Sequence, residues 1–321
     1  MPKYSIIVPV YNRPNEVDEL LESLLKQVYQ DFEVLIIEDG STHTCEKQVQ
    51  QYAGQLNVHY YYKENSGQGF SRNFGFDRAT GEYFIVFDSD CIIPPDYLTH
   101  IDKALNQHHY DAFGGPDRAH PNFNPLQKAI SYSMTSLFTT GGIRGREKRA
   151  GVFHPRSFNM GISKEVYEAT GGYIITRMGE DIEFSARIIA SGYHVGLIPD
   201  AFVFHKRRTT LKQFYRQVHF FGRARINIAR FFPEELKLVH TFPAIFVIAI
   251  VVYLLSPLIS KPLFALGTWL LLIYASLIVI DAARQTRSFY LAILSLAAAF
   301  VQLTGYGIGF ITESFRKLFQ G

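Results

Sequence analysis

The 321-residue sequence has only two cysteines, and neither of them has a metal-ligand or redox spacing. Cys45 and Cys91 lie in unrelated contexts, so we expect two reduced thiols in a cytosolic compartment. The sequence also lacks a charged N-terminal region followed by a long apolar one, so no cleaved signal peptide is expected. The net charge of +3 is small and by itself excludes neither acidic nor basic partners.

Charged residues are also missing from three long apolar runs near the C-terminus, at about 241–259, 262–280 and 288–311. Each run is close to the ~20 residues that cross a hydrocarbon core. Three such runs in succession are hard to explain as buried helices of a soluble protein. We therefore expect a membrane region of two or three transmembrane helices within residues 240–312.

The third run contains three glycines at alternate positions, Gly305, Gly307 and Gly309. They favour either a re-entrant segment or close packing on another helix. The loop between the second and third runs contains Arg284 and Arg287, and the positive-inside rule places such a loop in the cytosol. With a cytosolic N-terminus, this predicts a multi-pass protein of the cell (inner) membrane whose N-terminal domain is cytosolic.

Acidic residues are absent between Lys206 and Arg230, where eight lysines and arginines are interleaved with aromatic residues. This pattern is typical of a basic amphipathic helix at a membrane surface, although nucleic-acid binding would give a similar one. The neighbouring apolar runs favour lipid, so we expect an interfacial helix within residues 206–235 and no nucleic-acid partner.

What the first 205 residues do contain is an alternation of strand and helix patterns. Short buried-strand runs at 5–10, 32–37 and 83–87 are separated by segments with helical periodicity, such as the one that starts near Val17. This order predicts an α/β domain with a mostly parallel sheet covered by helices on both faces. Ligands of such sheets bind at the carboxyl ends of the strands.

Carboxylates follow the third strand run at Asp88-Ser89-Asp90. Two carboxylates two residues apart can bind one hard divalent cation, and Mg²⁺ and Mn²⁺ prefer such oxygen ligands. Such a cation can neutralise a diphosphate leaving group. His205, which ends a later strand, is a further candidate ligand, although a lone histidine at a strand end is more often structural.

Two other strand ends have polar residues that suit a nucleoside. Tyr11 and Asn12 follow the first strand, and Glu38 and Asp39 end the second. A tyrosine can stack on a base, and a carboxylate can accept a hydrogen bond from a base N–H. Each segment taken alone is equally typical of a simple turn.

Glu180 and Asp181 open a predicted helix after a glycine-containing loop. Asp181 is a candidate general base, which would accept the proton of an attacking hydroxyl group. Acidic residues are also favoured at helix N-termini for electrostatic reasons alone. The residues themselves leave both interpretations open.

Together these segments resemble the family 2 glycosyltransferases, and in particular their membrane-anchored bacterial members. The resemblance spans about residues 4–205. It rests on the order and spacing of the segments Ser-Ile-Ile-Val-Pro-Val-Tyr-Asn, Glu-Asp-Gly-Ser, Asn65-Ser-Gly67 with Ser71-Arg72-Asn73, Asp88-Ser-Asp90 and Glu180-Asp181. It implies a GT-A fold, which is Rossmann-like, and an inverting transfer.

The resemblance also implies roles for individual residues. The donor nucleotide sugar would be bound by Pro9, Tyr11, Asn12, Glu38, Asp39, Asn65, Gly67, Arg72, Asp88, Ser89 and Asp90. A Mn²⁺ or Mg²⁺ ion would be bound by Asp90 and Asp88, and His205 remains the further candidate ligand suggested by its position at a strand end. Asn159, Met160, Gly161 and Glu180 would lie on the acceptor side, with Asp181 as the base. The family usually has Asp-Asp where this chain has Glu38-Asp39, and we favour Asp39 for the base contact.

Gln213 to Gln217 resembles the Gln-x-x-Arg-Trp element of processive polysaccharide synthases, but Gln217 replaces the tryptophan. We therefore expect transfer of a single sugar from a nucleotide-diphosphate sugar to a lipid-linked glycan or lipid, in cell-surface polysaccharide or glycolipid synthesis. A processive synthase and a catalytically silent membrane scaffold are the alternatives. The Gly-rich basic segment at 139–150 is expected to be a loop that either closes over a bound phosphate or serves only as a linker.

Overall fold

The N-terminal strands form where the sequence has short runs of β-branched and aromatic residues, because such side chains fit a pleated, buried surface. The computed structural model describes residues 2–141 and 153–320. These residues form two compact units. The first contains residues 2–120 and 153–206, and the second contains residues 121–141 and 207–320.

The main sheet of the first unit has seven strands. In spatial order they are β3 (Val58–Lys63), β2 (Phe32–Asp39), β1 (Tyr4–Val10), β4 (Tyr83–Phe87), β8 (Asn159–Ser163), β6 (Ala112–Gly114) and β9 (Val195–Leu197). Parallel pairings join β1 to β2 and β4, β2 to β3, and β6 to β9, while β8 is antiparallel to both of its neighbours. The predicted mostly parallel sheet is confirmed.

Helices cover both faces of this sheet. They are α1 (Pro14–Leu25), α2 (Glu46–Tyr52), α3 (Gln68–Phe76), α4 (Tyr97–Gln107), α7 (Lys164–Thr170) and α8 (Glu180–Ala190). One buried cluster includes Leu20 and Leu24 of α1. A second includes Phe76 of α3, Phe84 of β4 and Phe184 of α8. Burying these side chains supplies the main driving force for the fold of this unit.

The strand ends lie where the sequence placed them, with one extension. β2 continues to Asp39, so that both Glu38 and Asp39 belong to the strand and not to the turn after it. Asp88 follows the last residue of β4, which is parallel to β1. The carboxyl ends of β1, β2 and β4 therefore open on the same edge of the sheet.

A second sheet of three short strands was not predicted from the sequence as a sheet. It consists of β5 (Cys91–Ile92), β10 (Val203–His205) and β7 (Asp117–Arg118), with β10 in the middle. β10 is antiparallel to β5, with His205 opposite Cys91. This pairing brings the end of the first unit back beside the residues that follow β4.

The second unit begins with helix α5 (Pro125–Thr135), which the sequence analysis included in the 1–205 domain. Its N-terminus has a capping box in which Gln127 N donates to Asn124 Oδ1. Ala129, Ile130 and Met134 are buried among helices of the second unit. A short helix, α6 (Leu137–Thr140), follows, and the rest of the predicted loop at 139–150 lies outside the described residues from residue 142 onward.

The predicted basic amphipathic helix is α9 (Leu211–Ile228). Its apolar face is covered by protein, because Phe214 and Val218 are buried in a cluster with Ala298 and with residues of α5. The amphipathic pattern is thus accounted for by packing within the second unit. Contact of this helix face with lipid, as expected from the sequence, is not needed to explain the amphipathic pattern.

Three long apolar helices complete the second unit. They are α10 (Phe242–Leu255), α11 (Lys261–Thr286) and α12 (Phe289–Gln320). The segments Leu238–Leu258, Lys261–Thr286 and Phe289–Phe319 are long and apolar enough to cross a membrane. By length and composition there are three candidate spans among the described residues.

The glycines of the third apolar run lie inside a continuous helix, α12, which argues against a re-entrant segment. A Cβ atom on Gly309 would overlap the backbone of His219 in α9, and one on Gly222 of α9 would overlap the backbone of Tyr306. The glycines thus allow the backbones of α9 and α12 to approach closely. Close packing on another helix, the second of the two alternatives, is confirmed.

Candidate active site

The pair of carboxylates after β4 meets a histidine from β10. Nε2 of His205 lies 3.0 Å from Oδ1 of Asp90 and 3.9 Å from Oδ2 of Asp88. Asp90 and Ser89 are buried, whereas the side chain of Asp88 is 33% exposed. The ring of His205 stacks on Phe158, with the two ring centroids 5.0 Å apart. The structure therefore brings together all three of the predicted metal ligands.

This donor set fits a hard divalent cation. Ligand atoms of Asp90, Cys91 and His205 lie within 4.8 Å of one another. Burial raises the pKa of the Cys91 thiol well above its usual value, and its Sγ donates to the carbonyl oxygen of Phe158 over 3.6 Å. A protonated, buried thiol is a poor ligand for Mg²⁺ or Mn²⁺, which leaves the oxygens of Asp88 and Asp90 and the imidazole of His205.

Arg13 is a residue of this site that was not singled out from the sequence. Its Nη1 atom lies 2.8 Å from Oδ2 of Asp90. Burial lowers the pKa of the Arg13 guanidinium, but the charge of Asp90, the hydrogen bond that Asp90 accepts from Arg13 and the charges of other nearby carboxylates together outweigh this effect, so that the net shift is upward. Arg13 directly follows the predicted nucleoside contacts Tyr11 and Asn12. This position in the sequence was the only signal that could have identified it as a site residue.

Glu38 and Asp39 differ in their surroundings. Glu38 is fully buried, and its carboxylate accepts hydrogen bonds from Ser41 Oγ and, at 2.8 Å, from Cys45 N. It therefore supports the turn after β2 from within the core. Asp39 is also buried, at 4% exposed, and lies at the strand end beside the segment that starts at Lys63.

Asp39 is bound by that segment through both of its oxygens. Lys63 Nζ lies 2.7 Å from Oδ1, Ser66 N donates to Oδ1 over 2.9 Å, and Gly67 N donates to Oδ2 over 2.9 Å. Burial raises the pKa of the Asp39 carboxyl, but the hydrogen bonds from Lys63, Ser66 and Ser71 and the charge of Lys63 together outweigh this effect, so that the net shift is downward. Lys63 was not singled out from the sequence.

Gly67 and Asn65 shape the backbone near Asp39. Gly67 has φ +89°, a left-handed conformation that favours glycine, and a Cβ atom there would overlap Thr176. Asn65 Nδ2 donates to the carbonyl oxygen of Asp39 over 2.7 Å. The two predicted donor-side residues thus act here by fixing the position of the loop around Asp39.

The end of β1 presents an exposed aromatic side chain. Tyr11 is 54% exposed, and Pro9, two residues earlier in β1, is partly buried beside Ile37. Asn12 has φ +55°, and its Oδ1 accepts hydrogen bonds from the backbone N–H groups of Thr42 and His43, both over 2.9 Å. Asn12 therefore ties the ends of β1 and β2 together and leaves the ring of Tyr11 open to a ligand.

Arg72 connects the residue that follows β4 to the first residue of α8. Its Nη2 lies 2.9 Å from Oδ1 of Asp88, and its Nη1 lies 3.3 Å from Oε1 of Glu180. The arginine is 1% exposed, and its guanidinium also lies over the ring of Tyr173, 5.3 Å from the centroid. A buried arginine of this kind needs anionic partners, and two predicted site carboxylates supply them.

Glu180 and Asp181 occupy the first turn of α8 in different environments. Glu180 is 4% exposed, and burial, followed by the charge of Asp181, raises the pKa of its carboxyl. Gln68 of α3 donates a hydrogen bond to it. The side chain of Asp181 is 19% exposed and lies 3.3 Å from Nη1 of Arg156. Of the two carboxylates, Asp181 is the one that a ligand can reach.

The segment predicted to line the acceptor side lies in the core instead. Asn159 accepts a hydrogen bond from the Tyr97 hydroxyl over 2.5 Å and donates to the carbonyl oxygen of Ala201 over 2.8 Å. Met160 is buried, and a Cβ atom on Gly161 would overlap the ring of Phe113. Their side chains are therefore directed into the fold, which argues against direct contact with an acceptor.

Comparison with known protein families identifies the family of the chain. Residues 5–171, just over half of the chain, match the family described as Glycosyl transferase family 2. The chain therefore belongs to glycosyl transferase family 2, and its first unit contains side chains that could hold a divalent cation.

Curated relatives match only in part. An uncharacterized glycosyltransferase of Rickettsia felis is 35% identical over 143 residues, which are 44% of this chain and 23% of the relative. The poly(ribitol-phosphate) beta-N-acetylglucosaminyltransferase TarS of Staphylococcus aureus is 36% identical over 115 residues, which are 35% of this chain and 20% of the relative. The chain thus spans about a fifth to a quarter of the length of these relatives.

Among solved structures, the mannosyltransferase PcManGT from Pyrobaculum calidifontis, in complex with GDP-Man and Mn²⁺, has the same fold. The TM-score is 0.65 at 20% identity, and the match covers 94% of this chain and 87% of that one. The GT-A fold, followed by apolar C-terminal helices, is thereby confirmed.

Proposed function

We propose that the enzyme moves a single sugar, with inversion at the anomeric carbon, from a nucleotide-diphosphate sugar to a lipid-linked glycan or lipid acceptor. The reaction would serve the synthesis of cell-surface polysaccharide or glycolipid. Residues 1–205 would form the catalytic domain, residues 206–235 an interfacial segment, and residues 240–312 the membrane region.

The observation on which this proposal chiefly rests is the pairing of Arg72 with both Asp88 and Glu180. It joins the donor-side carboxylates after β4 to the helix that begins with Glu180 and Asp181. A sugar transferase needs a leaving-group site and a base within the length of one sugar, and one guanidinium connects the two segments here.

On the donor side, the ring of Tyr11 would stack on the base, and Asp39 rather than Glu38 would accept a hydrogen bond from it. Asp88, Asp90 and His205 would hold a Mn²⁺ or Mg²⁺ ion, which when bound neutralises charge on the departing diphosphate. The GDP-Man and Mn²⁺ bound to the mannosyltransferase with the same fold support this donor class.

On the acceptor side, Asp181 would act as the general base. The acceptor hydroxyl oxygen forms a bond to the anomeric carbon, the bond from that carbon to the diphosphate oxygen breaks, and the hydroxyl proton passes to the Asp181 carboxylate. A single displacement of this kind inverts the anomeric configuration. The exposure of Asp181, in contrast to buried Glu180, supports this assignment.

Membrane attachment would keep the enzyme at the bilayer, where lipid-linked acceptors lie. Support comes from the three long apolar helices. With the N-terminal domain in the cytosol, three spans place the loop with Arg284 and Arg287 on the cytosolic side, in agreement with the positive-inside rule. We therefore propose a multi-pass protein of the cell (inner) membrane.

A processive synthase is the alternative enzyme. Gln217, on α9, lies where the synthase element has its tryptophan. A glutamine side chain cannot stack on a growing glycan as an indole ring would. A silent scaffold is disfavoured because Asp88, Asp90 and Asp181 are all present.

The test is a panel of nucleotide sugars incubated with the full-length protein in detergent, with Mn²⁺ or Mg²⁺ and a membrane lipid extract as the acceptor source. We expect one nucleotide sugar to release nucleotide, with one sugar added to a lipid product and no turnover after chelation. A polymeric product would overturn single transfer, and turnover that survives chelation would overturn the metal assignment. Absence of turnover with every donor would support the scaffold.

A further inference from the structure

We propose that Gln68 is a positioning residue for the transfer step, because its side-chain amide holds Glu180 and thereby fixes the first turn of α8, on which Asp181 lies. The proposal rests on the proposed function. Gln68 is the first residue of α3 and is not among the residues that the sequence patterns pointed to.

The start of α3 is fixed on the donor side of the site. Ser66 N and Gly67 N each donate to the Asp39 carboxylate over 2.9 Å. Gly67 is the N-cap of α3, so Gln68 follows directly on this anchored backbone. The position of the Gln68 side chain is therefore determined by the same loop that surrounds Asp39.

From this position Gln68 reaches the acceptor side. Its Nε2 donates to Oε1 of Glu180, and Nη1 of Arg72 lies 3.3 Å from the same oxygen. Gln68 and Arg72 are four residues apart and so lie on one face of α3. A carboxylate that is 4% exposed needs such donors, since a buried charge without them is strongly unfavourable.

The backbone before α8 leaves the helix start dependent on these contacts. Met178 has φ +63° and Gly179 has φ +100°, so two consecutive residues have positive φ angles immediately before Glu180. Glu180 is the first helical residue and Asp181 the second. Hydrogen bonds to Glu180 therefore set the direction in which the neighbouring Asp181 side chain leaves the helix.

Gln68 and Arg72 have different tasks in this arrangement. Arg72 also pairs with Asp88, so its removal would disturb the donor side and the acceptor side together. The hydrogen bond that the structure gives the Gln68 side chain goes to Glu180. Loss of Gln68 should therefore slow the transfer step and leave donor binding intact.

The surrounding loop is held to α3 without the Gln68 side chain. Gly69 N donates to the carbonyl oxygen of Thr176 over 3.4 Å, and Thr176 Oγ1 donates to that of Ser66 over 3.0 Å. Asn73 exchanges two hydrogen bonds of 2.8 Å with the backbone of Tyr173. A variant of Gln68 should consequently fold, which separates positioning from support of the fold.

The experiment compares Gln68→Met, which keeps the side-chain length and loses the amide, with the matched control Gln51→Met on an exposed position of α2. Calorimetry gives the dissociation constants of UDP-N-acetylglucosamine and GDP-mannose, and nucleotide release gives the turnover. We expect Gln68→Met to lower turnover at least about tenfold, the factor expected for a hydrogen bond to a charged group. Donor dissociation constants should stay within about twofold, and Gln51→Met should match the wild-type protein.

A double-mutant cycle adds a readout that a structural role would not move. If Gln68 acts through Glu180, the double variant Gln68→Met/Glu180→Gln should be no slower than Glu180→Gln alone. Gln68→Ala is a second variant, which should likewise lower turnover and leave the donor dissociation constants unchanged.

Wild-type turnover in Gln68→Met, weakened donor binding with unchanged turnover, or additive effects in the cycle would each overturn the proposal. Failure of the role of Gln68 can be distinguished from failure of the proposed function. If the wild-type protein turns over no nucleotide sugar, the proposed function fails and this inference fails with it. If the wild-type protein is active and Gln68→Met is equally active, only the inference fails.

Discussion

Nε2 of His205 lies 3.0 Å from Oδ1 of Asp90, although the two residues are 115 positions apart in the sequence. The cause is the antiparallel pairing of β10 with β5, in which His205 lies opposite Cys91, the residue after Asp90. The strand pairing therefore places His205, at the end of β10, close to the carboxylates of Asp90 and Asp88. The arrangement supports the proposal that these side chains bind a divalent cation.

The first prediction concerns this contact. His205→Ala should weaken Mn²⁺ binding at least about tenfold, a loss known even for residues that only support metal ligands. Electron paramagnetic resonance of free Mn²⁺, titrated into the protein without donor, measures this directly.

His108→Gln is the matched control, because His108 is exposed at the C-cap of α4. It should bind Mn²⁺ as the wild-type protein does. Equal Mn²⁺ affinity in His205→Ala and the wild-type protein would remove His205 from the ligand set.

The parts of the site that could be predicted from the sequence are those governed by local patterns. Buried β-branched runs placed the ends of β1, β2 and β4, and hence Tyr11, Asp39 and Asp88, on one edge of the sheet. Contacts between distant segments have no such signal. The pairing of Arg13 with Asp90 and of Arg156 with Asp181 depends on how loops pack, which periodicity does not encode.

Two further differences have identifiable physical causes. The family resemblance placed Asn159 on the acceptor side, but its side-chain amide forms hydrogen bonds with the Tyr97 hydroxyl and the carbonyl oxygen of Ala201 inside the fold. Helix α5 was missed although Asn124 and Gln127 form a capping box before it. Its residues pack on α9 and α12, which are distant in sequence, so tertiary contacts decide its place.

The second prediction concerns Asp39. Its pKa is lower in the folded protein than the usual 3.8, so its ionised form stabilises the fold at pH values above about 4, and this stabilisation is lost as the pH falls through the folded-state pKa. Asp39→Asn should therefore lose less stability than the wild-type protein between pH 5 and pH 3. The expected difference is a few degrees in the thermal midpoint, since ~1 kcal/mol changes the midpoint by ~2–4 °C in domains of about 150–250 residues.

Thermal unfolding in detergent at several pH values is the measurement. Asp31→Asn, at an exposed position just before β2, is the control and should follow the wild-type curve. If Asp39→Asn shows the wild-type dependence on pH, the ion pair with Lys63 does not contribute to stability in the way described.

The third prediction concerns the crossing of α9 and α12. Gly309→Ala should destabilise the second unit, because the new Cβ would overlap the backbone of His219. Overpacking of this kind costs about 1–3 kcal/mol. The thermal midpoint in detergent should fall by several degrees.

Gly54→Ala provides the comparison, since a Cβ atom at Gly54 meets nothing within 4 Å. It should leave the midpoint unchanged within about a degree, because surface substitutions have small effects. Equal midpoints for Gly309→Ala and Gly54→Ala would mean that the two helices are not in close contact.

The fourth prediction tests the membrane orientation. Gln285→Cys lies on an exposed position at the end of α11, and Ile259→Cys lies between α10 and α11, where Ile259 is 74% exposed. With three spans and a cytosolic N-terminus, a membrane-impermeant maleimide should label residue 285 in inverted vesicles and residue 259 in intact cells after outer-membrane permeabilisation.

Cys45 and Cys91 are both buried, so the unmodified protein serves as the unlabelled control. Labelling of both positions from the same side would contradict the proposed three-span arrangement. Labelling of residue 285 only from outside would reverse the orientation and remove the cytosolic placement of the catalytic domain.

The role of Asp181 is the central claim, and Asp181→Asn tests it most directly. Glu168→Gln, on an exposed position of α7, is the control. With the active nucleotide sugar, the donor dissociation constant and the rate of sugar transfer are measured on the same preparations. The account predicts an unchanged dissociation constant and a loss of about 10²- to 10⁴-fold in rate for Asp181→Asn, as for the removal of a general base. Full transfer activity in Asp181→Asn would contradict it.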